Sequence, residues 1–202
     1  MNCSNQKSRT STHGYSSGGY TDANSDVVDK FSVTSDGNAT DVGNLTDGGW
    51  MGAGQSSSTH GYTSGRRRGS TYYNTIDKFT FSTDANATDV GDLTIHTGYA
   101  GGQSSTTHGY SSGGISDNYI NIISKFTFAS DGNATDVGDL TDTRYGVIPQ
   151  SSTTHGYSSG GYSDSAGGNR NIIDKFAFAS DGNATDVGDI SNSRQGGAGQ
   201  QV

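Results

Sequence analysis

The chain has 202 residues, a net charge of −8, 28% hydrophobic residues, 32 glycines and one proline. An acidic balance repels a phosphate backbone, which removes nucleic acid from the expected partners; Cys3, the only cysteine, excludes an intrachain disulfide framework. So low an apolar content ordinarily points to disorder, yet the 11 Tyr and 7 Phe recur at fixed places along the chain, so an ordered protein is expected.

The first residues, Met1 to Lys7, hold no apolar signal core, and no stretch approaches the ~20 apolar residues of a membrane span. A protein with no membrane span and no ordinary signal peptide is expected. From His13 onward the chain repeats itself. His13, His60, His108 and His155 each open a His-Gly-Tyr, and Thr-Asp-Val-Gly recurs at Thr40–Gly43, Thr88–Gly91, Thr135–Gly138 and Thr185–Gly188. Recurrence at about 47–50 residues is the mark of propellers, solenoids and arrays. The units run over residues 10–54, 55–102, 103–149 and 150–200.

Each unit carries three segments with period-two alternation, the strand signature. In the third unit the first is residues 104–112, with His108 and Tyr110 on one face. The second is Ile120–Ala129, with Ile120, Ile122, Phe126 and Phe128 together and Lys125 and Thr127 opposite. Val27, Phe31 and Val33, then Phe79 and Phe81, then Ile172, Phe176 and Phe178 hold the same places in the other units. The third segment is short, Val137 to Leu140. Ser-Asp-Gly-Asn-Ala-Thr joins the last two as a tight turn. No segment has helical apolar spacing.

The fold class expected is all-β, with one repeat domain over 1–202. A unit that cannot bury its own Phe face must stack on its neighbour. Four units close naturally into a β-propeller-like ring of four blades, each of three to four strands; an open β-repeat stack is the alternative.

Tyr15 to Gly18-Gly19, Tyr110 to Gly113-Gly114 and Tyr157 to Gly160-Gly161, with Leu140 and Ile190 followed by Arg144 and Arg194, resemble a kelch-type propeller blade. The second unit has Gly65-Arg66 in place of Gly-Gly. The wording of the unit is also similar to repeat proteins from bacteriophage and environmental sequences, which implies an unassigned or virion-structural role.

Repetition argues against catalysis, which needs one site and not four equal ones. His13, His60, His108 and His155 are therefore expected in a structural network. Asp29, Asp77 and Asp174, with Ser124 in the third unit, share the parity of the Phe residues. An inward carboxylate needs partners, so each His is expected to bond the Asp or Ser. Asp131, Asn133, Thr135 and Asp139 stand at offsets that partly match a calcium-binding turn, and calcium needs six to eight oxygens; side chains satisfying the turn backbone are the competing role. Without a secretory route, the sequons at Asn38, Asn86, Asn133 and Asn183 are not expected to carry sugar. No Ser-His-Asp, Cys-His or paired-Glu constellation occurs, so no enzyme is expected.

Function is expected in the loops that differ: Tyr20–Asp26, Arg66–Asn74, Ile115–Tyr119 and Tyr162–Arg170. Their candidate contact residues are Tyr20, Arg66, Arg67, Arg68, Tyr72, Tyr73, Tyr119 and Tyr162, a chemistry suited to sugar stacking and adaptable interfaces. The function expected is that of a structural or adhesive component of a virion or extracellular fibre, self-associating or docking on other subunits, with a cytoplasmic place also open. A multivalent glycan-binding protein is the alternative.

Overall fold

A computed structural model describes residues 12–200. Cys3 and the first two residues of the first unit lie outside that range. The described residues form strands only, in five antiparallel sheets. The first sheet holds β1 (His13–Tyr20), β2 (Asn24–Ser32) and β3 (Thr40–Asn44). The second holds β4 (Ala53–Ser56), β5 (His60–Arg68), β6 (Thr71–Thr80) and β7 (Thr88–Asp92), paired in that order. The third repeats it with β8 (Gly101–Ser104), β9 (His108–Ile115), β10 (Tyr119–Thr127) and β11 (Thr135–Asp139). The fourth uses β12 (Ile148–Ser151), β13 (His155–Ser159), β16 (Ile172–Ala177) and β17 (Thr185–Asp189). Between β13 and β16 a small hairpin, β14 (Tyr162–Ser163) with β15 (Gly168–Asn169), absorbs the extra residues of the last unit.

The three expected strands per unit are present, but their limits differ. Residues 104–112 do not run as one strand. Ser104 ends β8 and a turn at 105–107 leads to β9 at His108, because the Ser105 hydroxyl caps the His108 amide at 2.9 Å. The short first strand of each later unit was hidden because Ala-Gly-Gln-Ser and Gly-Gly-Gln-Ser show no apolar alternation. The expected Ile120/Ile122 face is also displaced. The pairing of β10 with β11 shifts register between Ile122 and Ser124, and this bulge turns Ile123 into the core instead. The same shift buries Val28 and Ile76.

The core lies between sheets, in three copies. Tyr15, Val28, Leu45 and Val42 of the first sheet meet Phe79, Phe81 and Ala87 of the second. Tyr62, Ile76, Leu93 and Val90 meet Phe126, Phe128 and Ala134. Tyr110, Ile123, Leu140 and Val137 meet Phe176, Phe178 and Ala184. Each Tyr ring lies 4.7–4.8 Å from the second Phe of the next unit, stacked, and 5.4–5.5 Å from the first, tilted. Glycine is required in His-Gly-Tyr because the same sheet's Phe ring covers it: a Cβ on Gly61 would meet Phe79 ring carbons within 2.9 Å.

These core clusters join the first sheet to the second, the second to the third and the third to the fourth. Among the described residues the apolar side chains of the two outer faces are exposed: Phe31 is 40% exposed, Val33 54% and Val187 46%, whereas Phe79, Phe126 and Phe176 are buried.

Candidate functional site

Thr-Asp-Val-Gly is an inter-repeat dock. The Asp caps the Gly amide of its own motif, as Asp89 Oδ1 does for Gly91 at 3.0 Å. The strand then receives the Asp-Gly-Asn-Ala turn of the next unit. Gly132 and Ala134 donate to the carbonyls of Val90 and Asp92 at 2.8 and 2.7 Å, and Asn133 Oδ1 accepts the Asp92 amide at 3.0 Å. Asn86 and Asn183 repeat that latch on the Asn44 and Asp139 amides. The motif glycine lets the turn approach: a Cβ on Gly91 would lie 2.5 Å from the Gly132 carbonyl carbon and 2.9 Å from the Asn133 nitrogen. Lys30, Lys78 and Lys125 pair with Asp84, Asp131 and Asp181 of the next unit's turn.

The turn oxygens weighed for calcium are thus engaged by protein groups, Asp131 by Lys78 and Asn133 by the Asp92 amide. Among the described residues no three His, Cys, Asp or Glu side chains converge in a metal-binding group.

The expected His–Asp bonds are not those the structure makes. Each His instead shares a hydrogen bond between its Nδ1 and the hydroxyl of the preceding Thr: Thr12, Thr59, Thr107 and Thr154, at 2.8–2.9 Å. Burial pushes His60 and His108 below the usual imidazole range, and the nearby Lys78 or Lys125 adds to the shift. The Asp residues face the preceding unit. Asp77 takes the Thr46 hydroxyl at 2.6 Å and the Arg66 guanidinium at 2.7 Å; Asp174 takes Thr141 at 2.7 Å and Arg144 at 2.8 Å. Both ion pairs are fully buried.

Arg66 therefore belongs to the scaffold and not to an exposed ligand loop. The stretch Arg66–Asn74 is mostly strand, since β5 continues to Arg68 and β6 begins at Thr71. The guanidinium reaches its site from either of two chain positions. Arg66 extends from β5 over Gly49, while Arg144 extends from the loop after β11 over Gly161. At the middle junction Thr97 and Gly114 stand at these two positions, and Ser124, in place of Asp, bonds Thr94 at 2.7 Å. Charge and countercharge are gained and lost together, as desolvation of an unpaired ion requires.

The remaining candidates gather at one edge. Tyr20 lies tilted against Trp50 at 5.6 Å, Trp50 meets Tyr99 edge-on at 5.8 Å, and Tyr99 meets Tyr145 edge-on at 5.4 Å. Tyr145 then meets Tyr119 at 5.0 Å and Tyr162 at 5.6 Å. Arg67 lies over both Trp50 and Tyr72, at 5.4 and 5.7 Å. Arg68 pairs with Asp47 at the surface, and Tyr73 engages the scaffold through its carbonyl, which accepts the Thr97 amide.

A backbone ladder spaces this ridge. Tyr99 donates to the Met51 carbonyl, Gly146 to Tyr99 and Gly196 to Gly146, at 2.8–2.9 Å. One hydrogen bond per unit sets the turns about 5 Å apart, the spacing of paired strands and within the range of edge-to-face ring contacts. Met51 and Tyr99 hold positive φ, 58° and 61°, where Gly146 and Gly196 stand in the later units. A bulky residue at such an angle is uncommon and points to function. Trp50, Tyr99 and Tyr145 were missed in the sequence because Tyr99 occupies the ladder position itself, while Trp50 and Tyr145 precede it.

The ridge is a half-exposed aromatic strip, repeated only in part from unit to unit, on a scaffold whose repeated polar groups are largely engaged between units. It offers aromatic and cation–π contact surface. No family model and no curated protein matches the chain.

Proposed function

We propose that the chain is a non-enzymatic structural or adhesive repeat protein, a component of a virion or extracellular fibre, that docks on other subunits through the aromatic ridge and its flanking loops. The observation that carries this reading is the confluence of Tyr20, Trp50, Tyr99, Tyr145, Tyr119 and Tyr162 into one strip drawn from all four units. Aromatic and Arg side chains supply large contact area at low entropic cost, as interface hot spots do. The exposed Phe31 and Val187 faces favour an open stack of kelch-like units over a closed four-bladed ring.

Light scattering across a concentration series tests the reading. Association above the 20.9 kDa chain mass, weakened at least tenfold by Trp50→Ala with Tyr145→Ala, is expected. Association unchanged by that pair of substitutions would overturn docking through the ridge.

Glycan binding is the second reading, favoured by aromatic residues at equivalent places: Trp50 with Tyr145, and Tyr20 with Tyr162, each in the strand-end bridge or hairpin of its unit. A glycan array separates the two. Binding by the wild type that is lost in the same variant, with a monomeric mass throughout, supports the lectin.

A further inference from the structure

The two ends of the stack are complementary halves of the interface that the chain forms three times internally. We propose that the fourth sheet of one copy docks on the first sheet of a second copy in that same geometry, with Ala198–Gln200 adding to the second copy's β1 as a fourth strand. The proposal rests on the reading of the protein as an assembly subunit but uses a different surface, the end faces.

Three observations converge. The apolar halves match: Phe31 and Val33 stand uncovered where Phe79 and Phe81 meet the preceding sheet, and Val187 is uncovered where Val90 and Val137 meet the following one.

The polar halves match as well. Arg194 holds the place of Arg144, four residues after the strand-end Ile190 as Arg144 is after Leu140. It is exposed. The internal precedent, Arg144 on Asp174, makes Asp29 of the second copy its target. The guanidinium needs a glycine beneath it, and Gly19, the counterpart of Gly161, has open space above it. Gly188, the docking glycine of the last unit, is likewise open where Gly43, Gly91 and Gly138 are covered.

The strand is present too. Ala198-Gly199-Gln200 repeats the Ala53-Gly54-Gln55 that begins the second sheet. Gly199 already lies against Pro149, as Gly102 lies against Gly54. Among the described residues the first sheet has three strands, and a groove of about 800 Å³ passes beside β1, lined by Tyr15, Ser17, Gly54 and Gln55 and, further along, by Gln150 and Gly199 of the same copy. The register of β4 on β5, Ala53 opposite Ser64 and Gln55 opposite Tyr62, sets Ala198 opposite Ser17 and Gln200 opposite Tyr15. Head-to-tail contact of this kind joins copies in series, into an open filament or a closed ring according to the rotation per copy.

The test is sedimentation of the full chain with charge-reversal variants at exposed Arg194 and half-buried Asp29. R194E alone and D29R alone are expected to weaken association at least tenfold, and an equimolar mixture to restore it, since each supplies the face that the other needs. A chain ending at Gly196 is expected to weaken it similarly. If R194E and D29R associate like the wild type while Trp50→Ala abolishes association, end-to-end docking is overturned and the ridge reading stands. If wild type stays at one chain mass at every concentration, both fail. Unchanged association of the chain ending at Gly196 overturns the strand addition.

Discussion

Gly91→Ala and Gly188→Ala are the same substitution in the same motif at nearly the same backbone angle, φ 149° and 144°. Their local strain is therefore equal, of order 1–3 kcal/mol. Their surroundings differ. The new Cβ at Gly91 would meet the Gly132 carbonyl carbon at 2.5 Å, whereas nothing lies within 4 Å at Gly188. The obstacle is backbone, so the third unit's turn must withdraw. Withdrawal breaks the Gly132 and Ala134 amide bonds and the Asn133 latch. Three hydrogen bonds at about 0.5–1.5 kcal/mol each make Gly91→Ala roughly 2–4 kcal/mol more destabilising than Gly188→Ala. Urea denaturation read by tyrosine fluorescence, at concentrations where the chain is monomeric, measures the difference. Equal midpoints and slopes for the two variants would refute the docking role of the motif.

Asp77→Ala strands the buried Arg66 and is expected to cost about 3–5 kcal/mol; R66G combined with D77S, which recreates the Gly114 and Ser124 arrangement, should recover most of that in the same denaturation assay. His60 and His108 have depressed values in the folded protein, so the unfolded chain binds more protons below the ordinary imidazole value of about 6.5. Their contribution is present above that pH and is lost as pH falls toward their folded values. The urea midpoint should decline over that window, and less steeply in H60Q/H108Q.

The period, the all-β class and the stacking of Phe faces were legible because repeats must present the same apolar groups to the same neighbour. Alternation within β10 was misread at Ile122 because period-two reading assumes an uninterrupted pleat, and a bulge changes which side Ile123 faces. Asp77 and Asp174 were correctly turned inward, but their partners lie on another unit or at Arg66, which a linear pattern of three arginines disguises as solvated. The His residues found a hydroxyl one residue away, a local bond that competes with any long-range pairing. Half of the ridge was visible as Tyr20, Tyr119 and Tyr162. Its other half came from Trp50, Tyr99 and Tyr145, whose alignment depends on the positive-φ turns and not on residue type.

Amide hydrogen exchange at a concentration where light scattering gives 20.9 kDa tests the open stack most directly. Ala87, Ala134 and Ala184 donate to the preceding unit at 2.7 Å, and Ala39 holds the same place on the uncovered first sheet. An open stack predicts strong protection at Ala87, Ala134 and Ala184 and rapid exchange at Ala39. Protection of Ala39 equal to the other three in the monomer would mean that the fourth unit closes on the first, and would contradict it.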